Sequence, residues 1–197
     1  MKAVLASNNK HKLIEIKTML VGKFEDILTL KDLGIDIEIE ENGTTFEENA
    51  YIKASTIAKM TGLPAIGDDS GICVLALDGE PNIYSARYAG EPCNDKNNNE
   101  KLLSKLHALE LGGKQVDRTA YFQSVVVLCY PDGSYISGSG RTYGKIIDEY
   151  RGSNGFGYDP LFLSDELGKT FGEAVMEEKN TISHRSRALK DLLEKII

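Results

Sequence analysis

No proline- or serine-rich linker and no block of like charge divides this 197-residue chain, so one domain, with room for two lobes, spans residues 1–197 in expectation. Cysteine is sparse: Cys73, Cys93 and Cys129 are widely spaced, without a CxxC pair or a Cys/His cluster, which excludes a zinc site and points to reduced thiols. Positive charge is in deficit, 23 Lys and Arg against 30 Asp and Glu, a net charge of -7 that argues against nucleic-acid backbone or an anionic membrane surface as partner. An anionic substrate would then need a local basic pocket. Long apolar runs are also missing. The run Met1 to Ala6 is broken by Ser7-Asn8-Asn9-Lys10, too short for a signal segment or a span, so a cytoplasmic location is expected. What is present, 41% hydrophobic and 27% charged residues well interspersed, suits an ordinary globular protein with a sizeable core.

The hydrophobic pattern alternates between strand and helix, an α/β reading. Lys2 to Ala6 reads as a buried strand, and Leu13, Ile16 and Leu20, with Ile14 beside them, as the apolar face of a helix. Ile35, Ile37 and Ile39 alternate with acids as in a half-buried strand, and a helix follows near Phe46 to Met60. The acidic pair Asp68-Asp69 is expected between two strands, at the end of the first and before the apolar run Ile72 to Leu77. Asn94 or Asp95 caps a helix to about Leu109, Ala120 to Tyr130 and Ser134 to Ile147 form a hairpin, and a helix covers Ser183 to Ile196.

Two helix starts carry the wrong charge. A helix amino terminus favours acids, yet Lys10, His11 and Lys12 open one helix and His184 and Arg185 another, with Lys179 upstream. A bound polyphosphate, clamped from two sides, would resolve the conflict; the plain alternative is that Asn8 or Asn9, and Ser183, merely cap helices whose basic side chains reach into water. Mg²⁺ uses one or two carboxylates beside substrate oxygens, and Asp68, Asp69 and Glu48 are the candidates. Asp-Asp-Ser-Gly is also a common turn, and Glu48 has a capping alternative with Thr45 unless Thr44 and Glu47 take that role. The segment Gly152 to Pro160 sets Phe156 and Tyr158 among glycines beside Asp159, which suits base stacking and acceptance of base N–H groups better than a P-loop or dinucleotide fingerprint.

Taken in order, Leu5 to Lys12, Thr45 to Ala50, Gly67 to Gly71, Tyr84 to Tyr88, Phe156 to Pro160 and Ser183 to Arg185 resemble the inosine triphosphate pyrophosphatase-like family, especially its bacterial XTP/dITP diphosphatases. The resemblance implies a long, twisted mixed β-sheet with flanking helices forming two lobes around a substrate cleft, in a homodimer. It also implies Mg²⁺-dependent hydrolysis of ITP, dITP and XTP to monophosphate and pyrophosphate. By the same resemblance Ser7, Asn8, Asn9, Lys10, His11, Lys12, Ser70, Phe156, Gly157, Tyr158, Asp159, Lys179, His184 and Arg185 hold substrate. Asp69 is the catalytic base and a metal ligand, Glu48 a second ligand, Asp68 a support and Lys53 a further phosphate-side candidate. Asn8 stands where many relatives have glycine. Two rival readings are a pyrophosphatase for modified pyrimidine nucleotides and a non-catalytic nucleotide sensor.

Overall fold

In the computed structural model, which describes residues 2–113 and 115–196, the elements alternate much as the periodicity requires. In chain order they are β1 (Lys2–Leu5), α1 (Lys10–Leu20), β2 (Asp26–Thr29), α2 (Phe46–Thr61), β3 (Ala65–Val74), α3 (Asp95–Glu110), β4 (Thr119–Cys129), β5 (Tyr135–Ile146), β6 (Phe162–Ser164), α4 (Met176–Ile182) and α5 (His184–Lys195). The strands lie in the order β2-β1-β3-β4-β5-β6. β1 is parallel to both β2 and β3, while β6 is antiparallel to β5, so the sheet is mixed and the fold is α/β. Asp132 fixes the β4–β5 turn by accepting hydrogen bonds from the Ser134 amide at 2.9 Å and hydroxyl at 2.6 Å. Among the described residues no helix is long and apolar enough to cross a membrane.

The chain gathers into two compact units, one made of residues 1–69, 124–140 and 184–197, the other of residues 70–123 and 141–183. The first unit's core joins Leu5, Ile16, Leu20, Ile66, Val126, Leu128, Leu189 and Leu192. The second's joins Ile72, Leu102, Leu106, Tyr158, Leu161, Phe162 and Phe171. In both, apolar stripes of helices, Leu102 and Leu106 in one and Ile16, Leu20, Leu189 and Leu192 in the other, meet apolar side chains that the strands present at every second position.

Four local expectations differ from what is seen. Asp68 and Asp69 do not lie between strands: β3 is continuous through them. Its Gly-Asp-Asp-Ser-Gly centre is poor in strand formers, but tertiary partners at both aspartates override that preference. The alternation at Ile35, Ile37 and Ile39 is real, each being half-buried between exposed acids, yet the segment belongs to no strand, and β1 pairs instead with β2. Ile14 is 51% exposed and off the buried face of α1. A short helix, α4, precedes α5, and Ser183 ends it by donating its amide to the Lys179 carbonyl at 2.8 Å.

Glycines set how closely helices approach the strands. At Gly67 a Cβ would stand 2.2 Å from the Ala50 carbonyl oxygen of α2, and at Gly138 it would stand 2.3 Å from the Ala188 oxygen and 2.4 Å from the Leu192 nitrogen of α5. Helix backbone has little room to retreat in a close-packed interior. Gly138→Ala is therefore expected to lose about 1–3 kcal/mol of stability, lowering Tm by several degrees in a thermal melt.

Candidate active site

The first unit carries a buried set of ions built on β3. Adjacent strand residues face opposite ways, so Asp68 and Asp69 enter different surroundings. Asp68 takes Arg185 on its two carboxylate oxygens, Nε at 3.2 Å and Nη2 at 3.3 Å, with Lys12 Nζ at 2.8 Å and the Ser124 hydroxyl at 2.6 Å. Arg185 is 0% exposed and its Nη1 also contacts the Glu15 carboxylate. Burial alone would raise the Asp68 pKa, but the Arg185 and Lys12 charges and the Lys12 and Ser124 hydrogen bonds outweigh it, and the carboxyl stays far below the usual range. The same pairing raises Arg185 against its own desolvation.

Asp69 faces α2. Asn49 donates from Nδ2 at 3.3 Å and Lys53 from Nζ at 3.1 Å, and these two donors share a helix face through their i, i+4 spacing. Lys53 Nζ is also 3.2 Å from Glu41, while the Asn49 carbonyl oxygen is occupied by the Gly43 amide at 2.9 Å. Burial pushes the Asp69 carboxyl up, Lys53 and Lys12 draw it down, and Glu41 adds repulsion, for a net rise. Lys53, desolvated but facing Asp69, Glu41 and Asp68, is raised and remains an ammonium. Two neighbouring carboxyls are thus driven in opposite directions, a pattern typical of reactive sites.

Asn9 caps α1, its side chain accepting from the His11 amide at 3.0 Å and the Lys12 amide at 3.2 Å, and its own amide donates to the Ser7 hydroxyl at 3.2 Å. Asn8 is exposed and donates to the Ile37 carbonyl at 3.3 Å. Lys10 and His11 are exposed at the helix start, whereas Lys12 turns inward to Asp68 and does not reach into water. Ser183, His184 and Arg185 are all buried, so a solvated basic cap does not describe the start of α5 either. Glu48 is not left idle by Glu47. Thr45 caps α2 and accepts the Glu48 amide at 3.1 Å, and the Glu48 carboxylate itself accepts from Thr44, amide at 2.6 Å and hydroxyl at 2.8 Å, which lowers its pKa. The carboxylate drawn into the Asp69–Lys53 cluster is Glu41. Among the described residues no three His, Cys, Asp or Glu side chains form a metal cage. The donor set around Asp69, hard carboxylate oxygens without thiolate or imidazole, is the kind Mg²⁺ takes when substrate and water supply its remaining ligands.

The second unit holds Ser70, half-buried on β3, and the Phe156 loop. Asp159 accepts from the Phe156 amide at 3.0 Å and from Lys179 Nζ at 2.8 Å. Gly155 allows this approach, since a Cβ there would fall 2.0 Å from the Asp159 carboxylate. The Lys179 ammonium stands 5.2 Å from the centre of the Phe156 ring. Of the two aromatics only Phe156 is partly open. Tyr158 is core, its hydroxyl donating to the Ser85 carbonyl at 2.8 Å and its pKa raised by burial.

Glu15, Glu41, Asn49 and Ser124 join these clusters without having been singled out. Helical spacing offered signals for Glu15, three residues after Lys12, and for Asn49, four before Lys53; none marked Glu41 or Ser124.

A model of the Ham1 family matches residues 3–195. The dITP/XTP pyrophosphatase of Geobacter sulfurreducens is 50% identical over 188 residues, 95% of this chain and 92% of that protein. That of Clostridium perfringens is 47% identical over 99% of this chain and 97% of its own. The structure of a HAM1 protein from Coxiella burnetii superposes with a TM-score of 0.88 at 39% identity, covering 100% of this chain and 98% of that one.

The opposed surroundings of the two aspartates have opposed consequences for stability. Asp68→Asn leaves Arg185 inadequately countered and should cost about 3–5 kcal/mol in urea denaturation at neutral pH. Because the folded-state pKa of Asp68 is depressed, its contribution is present above the ordinary value of about 3.9, so the deficit should shrink only below that pH. Asp69→Asn removes a carboxylate that burial disfavours, and Lys53 keeps Glu41; this variant should be no less stable than the native protein.

Proposed function

The chain belongs to the Ham1 family, and from that premise we propose that it is a nucleoside-triphosphate pyrophosphatase acting on ITP, dITP and XTP. The observation that carries the reading is Asp69, a buried carboxylate held between Asn49 and Lys53 while its neighbour Asp68 is locked by Arg185. In this proposal a water oxygen attacks the α-phosphorus, its proton passes to Asp69, and the bond to the bridging oxygen breaks to release pyrophosphate. Lys53 and Asn49 hold Asp69 in place for that transfer. Ser7, Asn8, Asn9, Lys10, His11 and Lys12 receive phosphate oxygens, and Ser70 adds a hydroxyl. His184 and Arg185 serve the substrate from the start of α5, Arg185 through Asp68. Asp69 with Glu41, and Glu48 at the start of α2, would hold Mg²⁺, which when bound neutralises phosphate charge and acidifies water.

For the base we propose Phe156 as the stacking face and Lys179 as a donor to a purine 6-oxo group, with Gly157, Tyr158 and Asp159 framing both. A 6-amino group presents a hydrogen-bond donor rather than an acceptor to that ammonium, which disfavours ATP. We further propose a cytoplasmic homodimer; three free thiols suit a reducing compartment.

Pyrophosphate release from ITP, XTP and ATP, measured with Mg²⁺ and with chelator, tests the reading. Mg²⁺-dependent release from ITP and XTP, at least about 100-fold slower with ATP and lost in Asp69→Asn, is expected. ITP binding without release would leave a nucleotide sensor, and preference for modified pyrimidine triphosphates would move the substrate class. A monomer in sedimentation would refute the dimer.

A further inference from the structure

The Phe156 loop is held from a second side that has no part in the chemistry above. Asp95, in the first turn of α3, accepts the Gly157 amide at 2.8 Å, and Asn99, one turn later, donates from Nδ2 to the Gly157 carbonyl at 3.0 Å. Both hydrogen-bonding groups of one loop residue are therefore taken by residues i and i+4 of a single helix face. Asn99 is 2% exposed, and its orientation is fixed, since a flip would set two oxygens against each other. Gly157 has φ +63 with open space in front of its α-carbon, so the residue is not held by packing on that side. Its neighbours are secured differently: Phe156 through Asp159, and Tyr158 through Ser85. Removing the α3 bonds would release the peptide between those two anchors, and with it the orientation of the Phe156 ring.

We propose that Asp95 and Asn99 are positioning residues for base recognition: they hold the Gly157 backbone so that Phe156 and Lys179 present a rigid face to the purine. The inference rests on the assignment of this loop to the base. Its chemical signature is a change in how the nucleobase is bound, with phosphate binding and the hydrolytic step untouched.

The experiment compares Asp95→Ala, Asn99→Ala and Asp95→Asn, the last keeping a side-chain acceptor for the Gly157 amide. KM and kcat for ITP are measured, together with inhibition by inorganic tripolyphosphate, which has no base. In Asp95→Ala and Asn99→Ala, KM for ITP should rise about tenfold, with kcat and tripolyphosphate inhibition within about twofold of native. Asp95→Asn should restore native KM. Unchanged KM in both alanine variants overturns the proposal, as does a parallel loss of kcat, tripolyphosphate binding and melting temperature, which marks a purely structural role. If one alanine variant does not fold, the other decides between these outcomes. Native protein that releases no pyrophosphate from ITP defeats the underlying reading; native turnover with indifferent variants defeats this inference alone.

Discussion

The Asp68–Arg185 pair is the constraint on which the first unit depends. A guanidinium with no exposed surface is tolerable only when its charge and donors are met, and Asp68 and Glu15 meet them. Lys12 and Ser124 complete the shell around Asp68. Four elements, α1, β3, β4 and α5, thereby meet at one carboxylate. The stability of such a cluster comes less from the ion pair as such than from the cost of leaving any member alone, and this makes the arrangement unique.

The lock on Asp68 also explains what its neighbour can do. Strand geometry sends Asp69 to the opposite face, toward α2, where one lysine and one amide restrain it without overwhelming it with positive charge. One sequence pair thus yields a carboxyl locked as an anion and, one residue on, a carboxyl whose pKa is raised. Close approach of α2 at Gly67 is part of the same arrangement, because it sets the Asn49–Lys53 face against β3.

Much of this was legible in the sequence. The α/β alternation, the apolar face of α2, the hairpin and the polar and basic motifs followed from periodicity, capping residues and charge at the wrong helix end. The continuity of β3 did not, because Gly67 to Gly71 are turn formers by local preference and only distant partners such as Arg185 and Ser124 make them a strand. Ile35 to Ile39 erred in the other direction, showing alternation without a neighbouring strand to pair with. Lys12 and Tyr158 were visible as residues, but which partner each one takes, Asp68 and Ser85 respectively, is decided by tertiary contact, on which local pattern is silent. Glu41 and Ser124 belong to that class entirely.

The first unit is assembled from three separated stretches of chain, and Arg185 lies 117 residues after Asp68. During synthesis β3 emerges long before α5, so its anionic centre has no guanidinium to face while most of the protein is being made. Burying that carboxylate early, with Lys12 alone to counter it, would be unfavourable, and the part of β3 up to Asp69 therefore cannot settle into its final place on the growing chain. The first unit completes itself only after α5 has left the ribosome, which makes the second unit, continuous except for one excursion, the part able to form first.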